Sequence, residues 1–153
     1  MKIADLLRKE YIIDGLVSSN KKEVLEELSR RILKGKLDFH LDAMIKVLTE
    51  REKLGSTGIG DGVAIPHGRL NGLEDLILAF GRSRSGIDFD SMDGKPVNLF
   101  FLLMAPEHST SEHLKVLARI SRMLKDQKFR TCLMEAKSRD ELYRIIADKD
   151  ENS

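Results

Sequence analysis

An α/β (α+β) fold, a sheet with helices packed on it, is predicted by three features of the sequence. Segments with helical hydrophobic spacing alternate with short strand-like apolar runs. One of those runs, Val97 to Met104, is apolar enough to lie in a sheet covered on both faces. No internal repeat, low-complexity stretch or linker interrupts the 153 residues, so a single core is expected.

Taken in order, Lys2 to Arg8 reads as a short helix and Tyr11-Ile12-Ile13 as a strand. Asn20 and Glu23 have capping-box-like spacing, and Val24, Leu25, Leu28 and Ile32 then recur at helical intervals. Gly35 ends that helix. Asp38 caps the next, whose apolar face is Leu41, Met44, Ile45 and Leu48, with Gly55 just past its end. Val63-Ala64-Ile65 is a brief buried strand, and Leu76 to Phe80 and Val97 to Met104 are two more. Gly86 and Asp93-Gly94 mark turns between those two. Ser109 or Ser111 opens a helix carrying Leu114, Leu117, Ala118 and Leu124. Phe129 to Met134 follows, and Ser138 with Glu141 caps a final helix through Leu142, Ile145 and Ile146. About four strands and five or six helices result.

Composition narrows the function classes. Apolar residues make up 41% and charged residues 33%, ordinary for a soluble globular chain. A net charge of +1 provides no global field to recruit nucleic acid or an anionic membrane. Aromatics are 5% with no Trp, which argues further against base stacking. The single Cys132 rules out an internal disulfide and fits a reducing compartment, so a cytoplasmic location is expected. Met1-Lys2 leads into no signal-peptide core, and the longest uncharged apolar run, Leu99 to Ala105, is too short to span a bilayer.

The stretch from Gly58 to Gly68 carries the chemistry. Its His67 stands at the end of the run Val63-Ala64-Ile65, directly after Pro66 and before Gly68. Pro66 ends strand pairing and holds Ile65 extended, while Gly68 lets backbone or a partner approach the imidazole. Ordering several glycines costs chain entropy, so a presented, reactive imidazole is a better account than a mere connection.

Two more residues break a local rule. Arg51 continues the stripe Leu41, Met44, Leu48, where a guanidinium needs an acidic partner or a functional anion. The alternative is that it snorkels at the helix end, where the dipole favours cations. His113 points inward by its spacing to Leu117 and Leu124. It is either a hydrogen-bonded, partly buried histidine or a catalytic one held neutral by the helix N-terminus. His40 and His108 read as solvated and incidental.

Several chemistries fail on spacing. Gly58-Ile59-Gly60-Asp61-Gly62 lacks the Gly-x-Gly-x-x-Gly order, and Pro66 follows where a Rossmann helix should begin. No Gly-Lys-Ser/Thr marks a phosphate loop and no Gly-x-Ser-x-Gly a nucleophile elbow. His108 and His113 lie five apart, not on one helix face, so no metal is expected. A nucleophilic imidazole fits best, because a neutral ring nitrogen is competent near neutral pH. The negative charge of a phosphohistidine calls for loop N–H groups, a cation such as Arg51 and a neutral donor such as His113.

These residues resemble a known family. Thr49-Glu50-Arg51-Glu52-Lys53-Leu54-Gly55-Ser56-Thr57-Gly58-Ile59-Gly60, running into Ala64-Ile65-Pro66-His67-Gly68, is similar to the signature of the IIA domains of the fructose–mannitol class. Those domains are phosphocarriers of the bacterial phosphoenolpyruvate-dependent phosphotransferase system. Gly86-Ile87-Asp88-Phe89, Leu99 to Pro106 and Glu112-His113-Leu114 also match, and the likeness runs from about Ile3 to Ile146. It implies a single mixed β-sheet of about five strands flanked by helices on both faces. One domain over residues 3–147 is expected, with a polar C-terminal tail at 148–153.

The resemblance further implies that His67 is the phosphoacceptor, with His113 and Arg51 as its active-site companions. Thr57, Gly58, Gly60 and Gly68 are the expected phosphoryl-loop residues, and no cofactor is expected. Asp61 stands where many relatives carry an uncharged Asn. The implied donor is a phosphorylated HPr-type protein, and in transport systems the acceptor is a IIB domain. The wording from Arg51 to Gly60 is most similar to stand-alone nitrogen-regulatory IIA proteins, which bind regulatory targets. A sugar-transport IIA subunit is the alternative, and a binding module that is never phosphorylated belongs to another class. No nucleic acid or membrane insertion is implied.

Overall fold

The computed structural model describes residues 2–34 and 40–152, and its organising element is the strand β6 (Val97–Pro106). Leu99, Phe101, Leu103 and Ala105 of β6 enter one hydrophobic core, and Phe100, Leu102 and Met104 enter another on the opposite face. A strand apolar on both sides must be covered on both sides. Helices α2 (Lys21–Lys34) and α3 (Leu41–Lys53) cover one face through Val24, Leu28, Met44 and Leu48. The other face carries α1 (Ile3–Leu6), α4 (Thr110–Leu124), α5 (Gln127–Glu135) and α6 (Arg139–Glu151).

Around β6 stand β1 (Leu7–Ile13), β2 (Gly58–Gly60), β3 (Val63–Ala64), β4 (His67–Leu70) and β5 (Ile77–Ile87). The order is β1-β5-β6-β3-β2, with β4 also paired to β6. Pairs β5–β6 and β2–β3 are antiparallel, while β1–β5, β3–β6 and β4–β6 are parallel. The mixed sheet flanked on both faces is therefore present, with six strands among the described residues. The two that periodicity misses, β2 and β4, are Gly-Ile-Gly and His-Gly-Arg-Leu. Neither is an apolar run, and pairing with neighbours rather than propensity makes them strands.

Several expected boundaries move. The first helix is a single turn, because β1 already begins at Leu7. Gly86 lies inside β5 rather than in a turn, at φ +86°, where the register against β6 shifts. The buried stripe of α4 is His113, Val116, Ile120, Met123 and Leu124, so Leu114 and Ala118 face outward instead. α6 continues through residues 148–151, expected as a tail, because Asp150 is buried and paired with Arg119 at 2.5 Å.

The capping signals hold at both ends of the chain. Asn20 Oδ1 accepts the Glu23 N–H at 2.9 Å, and Ser138 Oγ accepts the Glu141 N–H at 3.1 Å. Gly35 and Asp38 lie outside the described residues. No helix among the described residues is long and apolar enough to cross a membrane.

Arg82 of β5 is fully buried, with no carboxylate in ion-pair contact among the described residues. It donates to the carbonyls of Asp14 at 3.0 Å, Leu133 at 2.8 Å and Ala136 at 2.5 Å, tying β5 to the C-terminal end of α5. Arg82→Met leaves the buried Leu133 and Ala136 carbonyls without that donor. Urea unfolding is expected to show a loss of about 3 kcal/mol, the upper end for one unsatisfied buried group.

Candidate functional site

His67 owes its position to an interruption in a strand. β3 and β4 share one parallel register against β6: Val63 opposite Leu99, Ala64 opposite Phe100, then His67 opposite Leu103. Between them the Ile65 N–H turns away to the Thr57 carbonyl at 3.0 Å. Pro66 has no N–H, yet its carbonyl accepts from Leu103 at 3.0 Å, so pairing with β6 persists across the break. The histidine thus opens a second paired strand just after the first has ended.

Gly68 also has a different task from the one expected. A Cβ there would lie 2.4 Å from Val47 Cγ1, so the missing side chain makes room for α3 rather than for a partner at the ring. Successive strand residues point to opposite faces, so Gly68 turned toward α3 sends the His67 ring toward α4. There it meets His113 edge-on, with centroids 5.3 Å apart and planes at 84°.

The His67 tautomer follows from its neighbours. Nδ1 lies 2.9 Å from the Ile65 carbonyl, which can only accept, so Nδ1 carries the proton and Nε2 holds the lone pair. Arg51 Nε donates to that Nε2 at 3.2 Å, and Arg51 Nη1 donates to the Gly55 carbonyl at 2.9 Å. Arg51 is half-buried in the last turn of α3, and its Nε partner is an imidazole, where the sequence called for an acidic partner or a functional anion.

Both rings are held neutral. Burial lowers the His67 pKa, Arg51 and Arg69 lower it further, and the Ile65 carbonyl and Glu52 oppose them. His113 is pushed down to about 4 by burial first, then by His67 and Arg69. It is only 4% exposed, and neither ring nitrogen has a hydrogen-bond partner among the described residues. The hydrogen-bonded structural histidine among the sequence alternatives is not what the fold contains.

A cleft of about 520 Å³ opens on the two imidazoles and Arg51. Val47, Leu54, Leu114 and Leu117 supply its apolar wall, and Glu50, Gly68 and Arg69 complete it. Leu54 is 85% and Leu114 59% exposed, so the rim is apolar and open to solvent. Sequence reasoning missed Arg69, Glu50 and this rim. Arg69 is two residues beyond His67 on the same strand, and that spacing was the available signal.

Of the expected loop residues, only Gly68 lines the cleft. Thr57 is buried, with its N–H on Glu52 Oε1 at 3.0 Å and its hydroxyl on Glu52 Oε2. Gly58 and Gly60 form β2, and a Cβ on Gly58 would lie 2.9 Å from Ser91 Cα. Asp61 sits in the β2–β3 turn at φ +57°, its N–H on Asp93 at 3.1 Å, outside the cleft lining. His40 and His108 are exposed. Among the described residues, no group of three His, Cys, Asp or Glu is placed to hold a metal ion.

Fold and site together define an α/β domain that presents one half-buried neutral imidazole beside a guanidinium. Residues 5–149 match the family described as "Phosphoenolpyruvate-dependent sugar phosphotransferase system, EIIA 2", and the chain belongs to that family. It is 44% identical to a nitrogen regulatory protein of Bradyrhizobium diazoefficiens over 96% of this chain and 95% of that one. The fructose-specific EIIABC component of Bacillus subtilis is 38% identical over 98% of this chain and 24% of its own length. The crystal structure of nitrogen regulatory protein IIA-Ntr from Neisseria meningitidis superposes with a TM-score of 0.88 at 38% identity, covering 94% and 98% of the two chains.

Two outcomes test this geometry. Gly68→Ala is expected to destabilise the protein by about 1–3 kcal/mol through overpacking, and Val47→Ala in the same chain recovers most of that loss. The unfolded chain binds a proton on His113 below its ordinary 6.5, whereas the folded chain resists until about 4. Stability therefore rises with pH across that window and levels off above it. Urea unfolding at a series of pH values should show this slope, reduced but not abolished in His113→Leu, because His67 is shifted in the same direction.

Proposed function

We propose that this protein is a phosphocarrier that accepts a phosphoryl group on His67 Nε2 from a phosphorylated HPr-type protein and acts as a nitrogen-regulatory IIA. The observation that carries the reading is the orientation of one lone pair. The Ile65 carbonyl holds the proton on Nδ1, so Nε2 meets the open cleft as a nucleophile.

In the transfer, the Nε2–P bond forms as the donor's P–N bond breaks. The donor ring, protonated on its other nitrogen, keeps the bonding pair and leaves as neutral imidazole. The positive charge passes to the His67 ring, whose Nδ1 keeps its proton and goes on donating it to the Ile65 carbonyl. Arg51 has to leave Nε2 for the arriving phosphoryl oxygens, a short swing because Nη1 is anchored on Gly55. His113, neutral and without a partner, donates one N–H to the same oxygens. Positioning and electrostatics carry most of such a transfer.

The regulatory branch is supported by relatives named nitrogen regulatory protein that match along nearly their whole length. The similarity to a fructose-specific component favours a second reading, a IIA subunit that passes the group to a IIB domain.

Incubation with a phosphorylated HPr-type protein is expected to add one acid-labile phosphoryl group by intact mass, absent in His67→Ala. Arg51→Ala remains folded and accepts the group about 100- to 1000-fold more slowly, the usual effect of losing one preorganised donor. No gain in the wild-type chain identifies a binding module instead. Efficient onward transfer to a sugar-specific IIB domain establishes the transport reading over the regulatory one.

A further inference from the structure

Arg51 has four side-chain torsions and two hydrogen bonds, one to the His67 ring and one to the Gly55 carbonyl. The ring is the target, so the carbonyl has to do the aiming. Gly55 lies in the turn after α3 at φ +145°, a conformation that a glycine adopts readily but that nothing intrinsic to glycine selects. Something must fix the turn.

The fixing group is the next residue along from Arg51. Glu52 is buried, and its Oε1 accepts both the Thr57 N–H at 3.0 Å and the Lys21 ammonium at 3.1 Å. Its Oε2 takes the Thr57 hydroxyl, and its backbone carbonyl takes the Gly55 N–H at 3.1 Å. A carboxylate desolvated to this degree is costly unless it has several donors, and here two of its three, both from Thr57, hold the ends of one turn together. Lys21 extends the hold to α2 and lies 4.8 Å from the Phe89 ring centre, and Ser56 donates to the Phe89 carbonyl at 2.7 Å. The turn presenting the Gly55 carbonyl is thus tied to three separate segments of chain.

We propose that Glu52, clamped on Thr57 and Lys21, is the positioning residue that aims the Arg51 guanidinium at His67. The proposal rests on the phosphocarrier reading for its rate effects, but the aiming itself exists without phosphorylation. It gives Thr57 a role in the clamp rather than in contact with the phosphoryl group. Glu52 and Thr57 touch no reacting atom; the Thr57 hydroxyl acts through Glu52 and Arg51, whereas the Glu52 charge also reaches the His67 ring directly.

Aiming through Arg51 is testable by a mutant cycle in which Thr57→Val decides, because it leaves the Glu52 charge on His67 in place. Thr57→Val, which keeps shape and removes the hydroxyl, and Glu52→Ala are each combined with intact Arg51 and with Arg51→Ala. Rates of phosphoryl transfer from a phosphorylated HPr-type protein are compared, with thermal unfolding as the control for folding. The expected result is a slowing of about 10- to 100-fold with Arg51 present, as for a misplaced catalytic group, and no further slowing in the Arg51→Ala chain. Equal slowing by Thr57→Val in both backgrounds, or none in either, overturns the proposal. If Glu52→Ala does not fold, Thr57→Val alone decides.

The nitrogen chemical shift of His67 Nε2 in the unphosphorylated protein gives an independent readout. It should move toward the value of a ring nitrogen without a donor in Thr57→Val, and an unchanged shift overturns the aiming role. A wild-type chain that accepts no phosphoryl group would remove the proposed function while leaving this shift to judge the clamp.

Discussion

One proton, held between His67 Nδ1 and the Ile65 carbonyl, sets the chemistry of the site. It fixes the tautomer, the ring orientation and the side from which Nε2 is approached. That carbonyl is available because the backbone breaks stride at Ile65-Pro66. Ile65 spends its N–H on the Thr57 carbonyl, and Pro66 has none to spend. Since β6 keeps pairing on both sides of the break, the interruption re-aims a side chain without loosening the sheet. Placing a reactive ring in a paired strand makes its position as rigid as the core beneath it.

The two helices that complete the site arrive from opposite faces of the sheet. α3 is drawn close by Gly68, where even a methyl group would strike Val47, and it delivers Arg51 from its last turn. α4 packs on the other face through Val116, Ile120 and Met123, and delivers His113 from near its start. The cleft is therefore a seam between two independent hydrophobic cores. Neither core alone determines the separation of Arg51 from His113, and the length and register of β4 set it for both.

Much of this was legible in the sequence where burial and periodicity coincide. β6 announced itself through the apolar run from Leu99 to Ala105, and Asn20 and Ser138 announced helix starts by side-chain chemistry that needs no tertiary partner. His67, Arg51 and His113 stood out by breaking local rules, and the fold brings all three together. What failed was whatever depends on a distant partner. β2 and β4 are strands because neighbours pair with them, and α4 turns a different stripe inward because the sheet beneath asks for Val116 and Ile120. Glycines read as a phosphate cradle proved to be an edge strand against Ser91, and Asp61 a left-handed turn residue. Close approaches of this kind have no signature in composition or period.

His113 shows how such a site stores the capacity to bind charge. Two ring nitrogens with no partner among the described residues, on a ring 4% exposed at the cleft, cost free energy of about 1–3 kcal/mol for each buried group left unsatisfied. A hydrogen-bonded neighbour would remove that cost, and a protonated ring would gain from an anion nearby. Yet burial keeps the ring neutral, with Arg51 and Arg69 already supplying positive charge around the pair. On the proposed phosphocarrier reading, a third cation would hold the phosphoryl group too tightly for release, whereas a neutral donor gains a partner when the group arrives and loses little when it departs.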